Sequence, residues 1–284
     1  MAAAGSGAVT EALEVGLLGP VRVLAHGRLV SVAAPRRQVI LSALALAPGR
    51  TVSTAALARY LWGEDVPSPA RRAVSTVVTR LRQDLGMDVI TGTAGGYTLA
   101  VPAEAVDVYR FRALLRAART DEGAGELDLL ERALGCWRAH GEPLQDVGSD
   151  ALVAEHAPAL VEEWYAATER RIDLLLGAGV HAELVPQLRD LTARQPLRES
   201  LWCRLMVALY RSGRQAEALE AYRFVAGLLS DQLGVLPGRE LVAAHRAVLV
   251  HDPAVGVPAT PFHRPRRGVH RLRPRRRGAP RTRP

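Results

Sequence analysis

The chain has 284 residues, 48% of them apolar, which is enough for two modest domains with buried cores. Its 37 basic residues are all arginine, and the lack of lysine excludes a phosphate-binding P-loop and catalysis by a lysine amine. Residues 1–104 carry a net charge of +3, residues 105–252 carry −5, and residues 253–284 hold ten arginines and no acid.

The chain opens with residues 1–12, which we expect to form a flexible N-terminus. Short strands are predicted between Leu13 and Val32, with a hairpin turn at His26–Gly27. Two helices follow, Pro35–Ala47 and Thr54–Trp62, and the second is expected to be capped by Ser53 and closed by Gly63.

The segment from Ser68 to Gly86 predicts an amphipathic helix that Ser68 caps. At 100° per residue its apolar side chains gather on one side, namely Val74, Val77, Val78, Leu81 and Leu85. The opposite side carries hydroxyl, amide and guanidinium groups, from Arg72, Ser75, Thr76, Thr79, Arg82 and Gln83. Such a face suits the phosphates and base edges of DNA, so this is a candidate recognition helix. An ordinary surface helix gives the same pattern.

Two strand-like runs, MDVIT and YTLAV, come next and are joined by GTAGG. A small sheet, three helices and a hairpin, in that order, are typical of a winged helix-turn-helix. We therefore expect a winged-helix DNA-binding domain over residues 13–102.

The second half of the chain, residues 103–252, has helical periodicity throughout. Placing Gly179 over Gly213 also aligns Ala182, Glu183 and Arg189 with identical residues 34 positions later, which is the tetratricopeptide period. We predict helices at Leu127–Ala139, Pro158–Leu176, Leu184–Arg194, Leu197–Arg211, Ala216–Leu233 and Arg239–Val250. The alternative is a helical bundle without repeats.

Several runs in order resemble the Streptomyces antibiotic regulatory protein (SARP) family in its short form. PRRQVILSALAL, VSTAALARYLWGEDVPSPARRAVSTVVTRLRQDLG and GGYTLAV are similar to its OmpR-type winged helix. AVDVYRF, GCWRAHGEPLQDV and the long helical run after them are similar to its bacterial transcriptional activation domain. The resemblance covers residues 13–252 and implies a mainly α fold with an α+β N-terminal part. It also implies an activator of antibiotic biosynthesis genes that binds promoter direct repeats as adjacent protomers and recruits RNA polymerase holoenzyme.

The helix pattern suggests which residues touch double-stranded DNA. Thr76, Thr79 and Gln83 are the base-reading candidates, with Ser75 beside them. The candidate phosphate ligands are the arginines at the start and flanks of the helix and at the start of the first helix, namely Arg71, Arg72, Arg80, Arg82, Arg36 and Arg37. For any one of them, a plain surface role is an equal alternative.

The resemblance adds the hairpin, or wing, as a second DNA contact. Gly96 and Tyr97 match the family motif, but the tip has no arginine and Tyr97 also fits a core position. By resemblance, the loop Trp62–Ser68 faces the transcription machinery, and Glu64 and Asp65 are its candidate RNA polymerase contacts.

We find no constellation of residues for catalysis, no cofactor site and no metal site, so an enzyme is not expected. No apolar run spans a membrane and no targeting segment precedes the fold, which predicts a cytoplasmic protein. Residues 253–284 predict a disordered Arg/Pro-rich tail, which either adds salt-dependent DNA affinity or has no role. The rival functions are an interaction adaptor with a winged helix that does not bind DNA, and a repressor using the same DNA-binding domain.

Overall fold

A computed structural model describes residues 13–252 and Val255. The expected flexible N-terminus 1–12 and the expected disordered tail 253–284 lie outside the described residues, apart from Val255.

The chain begins with a three-stranded antiparallel sheet in the order β1-β2-β3. Its strands are β1 (Leu13–Gly16), β2 (Arg22–Ala25) and β3 (Arg28–Val30). His26 and Gly27 turn between β2 and β3 with φ angles of 49° and 73°, as a two-residue hairpin turn requires. The turn predicted at His26–Gly27 is therefore confirmed.

Three helices and a second sheet complete the winged helix. The helices are α1 (Pro35–Ala45), α2 (Thr54–Trp62) and α3 (Ala70–Leu85). The strands are β4 (Val52–Ser53), β5 (Ile90–Gly92) and β6 (Gly96–Leu99), in the sheet order β4-β6-β5. Ser53 caps α2 as predicted, since its hydroxyl accepts from the amide of Ala56 at 3.1 Å.

The second half is helical. Its helices are α4 (Asp107–Ala118), α5 (Ala124–Leu134), α6 (Asp150–Gly177), α7 (Leu184–Arg194), α8 (Glu199–Arg211), α9 (Gln215–Leu233) and α10 (Arg239–Leu249). Gly179 and Gly213 both adopt positive φ, at 87° and 77°, in the turns before α7 and α9. The 34-residue offset therefore marks equivalent turns between helix pairs.

Two helix predictions were wrong. The predicted helix Leu127–Ala139 ends instead at Leu134, because the chain beyond it bonds to the loop after β1, with Arg138 N donating to Leu18 O at 2.8 Å. The helix predicted to start at Pro158 begins at Asp150, where the Ser149 hydroxyl caps it by accepting from Leu152 N at 3.2 Å. Pro158 lies inside this helix.

Two hydrophobic cores stabilise the chain. The first core extends across the predicted domain boundary between residues 102 and 103. Leu17 of the N-terminal part and Phe111 of α4 therefore belong to one cluster. The second lies among α6 to α10 and includes Trp202. Helix α6 contributes to both, with Leu160 in the first core and Ile172 in the second. The winged helix therefore shares its core with the start of the helical half.

Across the part of the chain that the structure describes, no helix is both long and apolar enough to cross a membrane.

Candidate DNA interface

Helix α3 is fixed by its apolar side. Val74, Val78, Leu81 and Leu85 are buried, and the helix packs mainly on α1 and α2. Ser68 does not cap it, because the helix begins at Ala70 without a side-chain cap and Ser68 lies two residues earlier. The predicted cap was wrong, but the predicted apolar side is the buried one.

The other side of α3 is open to solvent. Five of the six side chains predicted to form it are exposed, namely Arg72, Ser75, Thr76, Thr79 and Gln83, while Arg82 is half-buried. The single acid on the helix, Asp84, forms an ion pair with Arg37 of α1. The exposed side thus offers positive and neutral polar groups to a ligand.

The two threonines already use their hydroxyl protons. Thr76 Oγ1 donates to Arg72 O at 3.0 Å, and Thr79 Oγ1 donates to Ser75 O at 2.9 Å. Each hydroxyl keeps its lone pairs free, and each methyl group is fixed by the bond. In this geometry the threonines can accept from a base amino group or contact a thymine methyl, but they do not donate.

Three of the predicted phosphate ligands are also bound within the protein. Arg37 pairs with Asp84, Arg82 Nε donates to Ile90 O at 2.9 Å, and Arg71 Nη2 donates to Ala94 O at 3.1 Å. The Arg71 contact places a guanidinium of α3 against the wing. The wing thus gains a positive charge that its own sequence lacks.

The remaining arginines are less constrained. For Arg72 and Arg80 the structure gives no side-chain partner within residues 13–252. Arg36 stacks over the Trp62 ring at 5.7 Å from the ring centroid. Arg36, Trp62, Thr76 and Arg80 line a cleft of about 600 Å³ between the start of α1 and α3. This cleft concentrates cationic groups beside the exposed side of α3.

The wing itself is held by a close approach of two strands. Gly96 is buried, and a Cβ atom placed there would lie 2.0 Å from the carbonyl oxygen of Val52 in β4. Gly96 therefore has a packing role in the wing, and its contact with DNA stays a prediction. Tyr97 is half-buried and packs against the first core. This placement favours the alternative core interpretation of Tyr97.

The loop between α2 and α3 presents its acids outward. Glu64 and Asp65 are exposed, whereas Trp62 packs against the first core. The loop thus presents two negative charges to solvent, while Trp62 at its start holds it against the first core. Its charge is opposite to that of the α3 side.

Polar contacts connect α2 to the helical half. Arg59 Nη2 and Tyr60 Oη both bond to the Glu155 carboxylate of α6, at 2.5 and 2.9 Å. The bond from Arg59 lowers the pKa of the Glu155 carboxyl below its ordinary value. The Ser149 hydroxyl donates to Tyr60 O at 2.6 Å. Sequence reasoning missed this connection because its partners lie about 90 residues apart.

A winged helix with an exposed cationic side, joined through a shared core to stacked helix pairs, is the architecture of a DNA-binding transcription regulator. Comparison with known families agrees. Residues 32–99 match the family described as "Transcriptional regulatory protein, C terminal", and residues 106–249 match the "Bacterial transcriptional activator domain".

Individual relatives are similar over most of this chain. Regulatory protein DnrI of Streptomyces peucetius is 33% identical over 86% of this chain and 94% of its own length. Regulatory protein AfsR of Streptomyces griseus is 40% identical over 89% of this chain. This chain spans about a quarter of the length of the AfsR proteins, 26% for the Streptomyces griseus protein. The structure of Mycobacterium tuberculosis EmbR in complex with a low affinity phosphopeptide superimposes with a TM-score of 0.78, at 31% identity, over 87% of this chain and 68% of that one. The chain belongs to the SARP family of transcriptional regulators.

Proposed function

We propose that this protein activates transcription of a secondary-metabolite gene cluster, with α3 in the major groove of promoter direct repeats. The observation that carries the proposal is the exposed side of α3, which has hydroxyl, amide and guanidinium groups and is not covered by the helical half. A helix of this kind fits the width of the B-DNA major groove.

Within this proposal, each exposed side chain has a distinct role. Thr76, Thr79 and Gln83 read base edges, and Ser75 lies beside them. Arg72 and Arg80 have no side-chain partner among the described residues, and they bind phosphates. Arg36 binds a phosphate from its position over the Trp62 ring. Arg71 and Arg82 position the wing against α3, and Arg37 balances Asp84.

Measuring DNA affinity tests the proposal. The assay is fluorescence anisotropy of a labelled duplex from the promoter beside the encoding gene, with a scrambled duplex for comparison. Thr79→Ala removes a base contact and should weaken specific binding roughly tenfold while leaving binding to the scrambled duplex unchanged. Arg72→Ala should weaken binding to both duplexes and lower the salt slope by about one.

The matched control is Arg223→Ala. Arg223 is an exposed arginine of α9, and its loss changes the net charge as Arg72→Ala does. It should leave affinity and salt slope unchanged, because α9 is not part of the interface. Equal losses in Arg72→Ala and Arg223→Ala would contradict the assignment of α3. Absence of any sequence-dependent binding by the unaltered protein would favour the adaptor.

Recruitment of RNA polymerase is the second part of the proposal. Glu64→Gln and Asp65→Asn remove the negative charge of the loop without touching α3. We expect unchanged DNA affinity and weaker activation in a purified transcription assay with RNA polymerase holoenzyme. Full activation by the doubly substituted protein would exclude this contact, and reduced transcription on adding unaltered protein would identify a repressor.

A further inference from the structure

A cleft of about 360 Å³ lies where the two cores meet, between α5, α6 and α7. Its position is defined by Trp137, which packs against both cores. Its first lining residue, Glu131, lies 34 positions after Tyr97, the last predicted DNA-binding residue, and the cleft has no role in the proposed function.

Aromatic rings form one wall of this cleft. The Trp137 and Trp164 ring centroids are 6.3 Å apart with the planes inclined at 59°. His140 meets Trp164 edge to face at 6.5 Å. Flat apolar surfaces of this kind bind flat aromatic molecules.

Two polar atoms in the residues lining the cleft are buried without a hydrogen-bond partner within the described chain, namely Thr168 Oγ1 and Trp137 Nε1. A buried unpaired donor is costly, and such groups normally find a partner. Thr192 shows the usual arrangement for a buried helical threonine, because its hydroxyl donates to Leu188 O at 2.9 Å. Thr168 is equally buried, at 1% exposed, and lacks this bond.

The polar side chains at the rim of the cleft make only long hydrogen bonds to one another. Arg171 contacts Glu131 and Gln187 at 3.4 Å each, which is long for a hydrogen bond. The Gln187 oxygen is the acceptor in that contact, so its amide nitrogen remains a donor. The indole, guanidinium and amide groups together make the cleft rich in donors.

We propose that this cleft binds a small planar aromatic compound that carries carbonyl oxygen. The rings would stack against Trp164, and the oxygens would accept from Trp137 Nε1 and from Arg171 or Gln187. The volume is near the lower end for ligand pockets and suits a molecule of two or three fused rings. Rotation of the Thr168 hydroxyl would bring it to the same ligand.

The test uses 7-hydroxycoumarin as the probe and naphthalene as a probe of similar ring size without oxygen. Affinity is measured by calorimetric titration of the full chain without DNA, so the outcome is independent of the proposed function. A saturating excess, about 100 times the dissociation constant, should raise the Tm by roughly 5 °C. Naphthalene should bind at least about tenfold more weakly, since it offers no acceptor.

Two conservative variants and one control locate the site. Thr168→Val keeps the shape of the wall, whereas Trp137→Phe keeps an aromatic ring but removes the Nε1 donor and part of the indole. Each should weaken 7-hydroxycoumarin binding about tenfold. Thr192→Val removes a hydroxyl that is bonded within its own helix and should leave the affinity unchanged. Thr168→Val is nearly isosteric and removes an unpaired group, so it should fold at least as well as the unaltered protein. No saturable binding of 7-hydroxycoumarin, equal binding of naphthalene, or unchanged affinity in both Trp137→Phe and Thr168→Val would overturn the proposal.

Discussion

Replacement of Asp107 by alanine tests whether the winged helix and the helical half form one folded unit. The Asp107 carboxylate is 2% exposed and lies at the start of α4. It accepts from the backbone amides of Leu17 at 2.8 Å and Leu18 at 3.0 Å, just after β1. It also accepts from Arg138 Nη1 at 2.8 Å. One side chain thus joins three segments that are far apart in the chain.

The expected loss of stability follows from the groups left without a partner. Asp107→Ala leaves two buried amides unpaired, at about 1–3 kcal/mol each, and removes a partly buried ion pair. We expect the free energy of unfolding to fall by about 4 kcal/mol. For a protein of this size that loss lowers the Tm by roughly 10 °C. Asp107→Asn keeps one acceptor oxygen and should lose about half as much.

The measurement is thermal unfolding followed by circular dichroism. The control is Asp128→Ala, which breaks an exposed pair with Arg132 and should cost less than about 0.5 kcal/mol. Asp107→Ala should unfold in a single transition at the lower temperature, because the first core extends across residues 102 and 103. A Tm within about 2 °C of the unaltered protein, or of Asp128→Ala, would refute this account of the connection.

Three further predictions concern the wing, the charge of α3 and pH. Gly96→Ala places a Cβ against the carbonyl oxygen of Val52 in β4 and should destabilise the wing by about 2 kcal/mol or more, measured by denaturant unfolding. Gly95→Ala is the control, because a Cβ there meets open space and should leave the stability nearly unchanged. Asp84→Asn frees the paired arginine of α1, so DNA affinity should rise for specific and scrambled duplexes alike and the salt slope should steepen by about one. Burial lowers the pKa of His156 below its ordinary value of 6.5, so the imidazole of the unfolded chain takes up a proton at higher pH than that of the folded chain. The Tm should therefore fall as the pH drops below 6.5. His156→Gln should reduce that fall.

Features that depend on neighbouring residues could be predicted from the sequence. The buried side of α3 follows from 3.6-residue periodicity, and the hairpin turn at His26–Gly27 follows from residues that tolerate positive φ. The Ser53 cap is equally local. In each case the interaction that decides the structure is contained within a few residues of sequence.

Features that depend on distant partners could not be predicted. The helix predicted to start at Pro158 begins instead at Asp150, after the cap Ser149, whose hydroxyl also donates to Tyr60 O of α2 at a distance of 89 residues along the chain. The wing lacks a cation in its own sequence, and Arg71 supplies one from α3 through its bond to Ala94 O. The paired state of Arg37 likewise depends on Asp84, 47 residues away. Arginine type and spacing alone do not distinguish a side chain free to bind phosphate from one already bound.

The shared core constrains how the proposed activator would assemble on DNA. Protomers on direct repeats are related by translation along the duplex, so any contact between them joins two different surfaces. Such a contact repeats at a fixed spacing only when each protomer is rigid from α3 to the surface it presents. The Asp107 bonds and the Glu155 contacts to α2 supply that rigidity on two sides of the first core. Helix α6 contributes to both cores and so extends the rigid unit to the helix pairs. The orientation of the helix pairs relative to the DNA therefore follows from buried packing rather than from a linker.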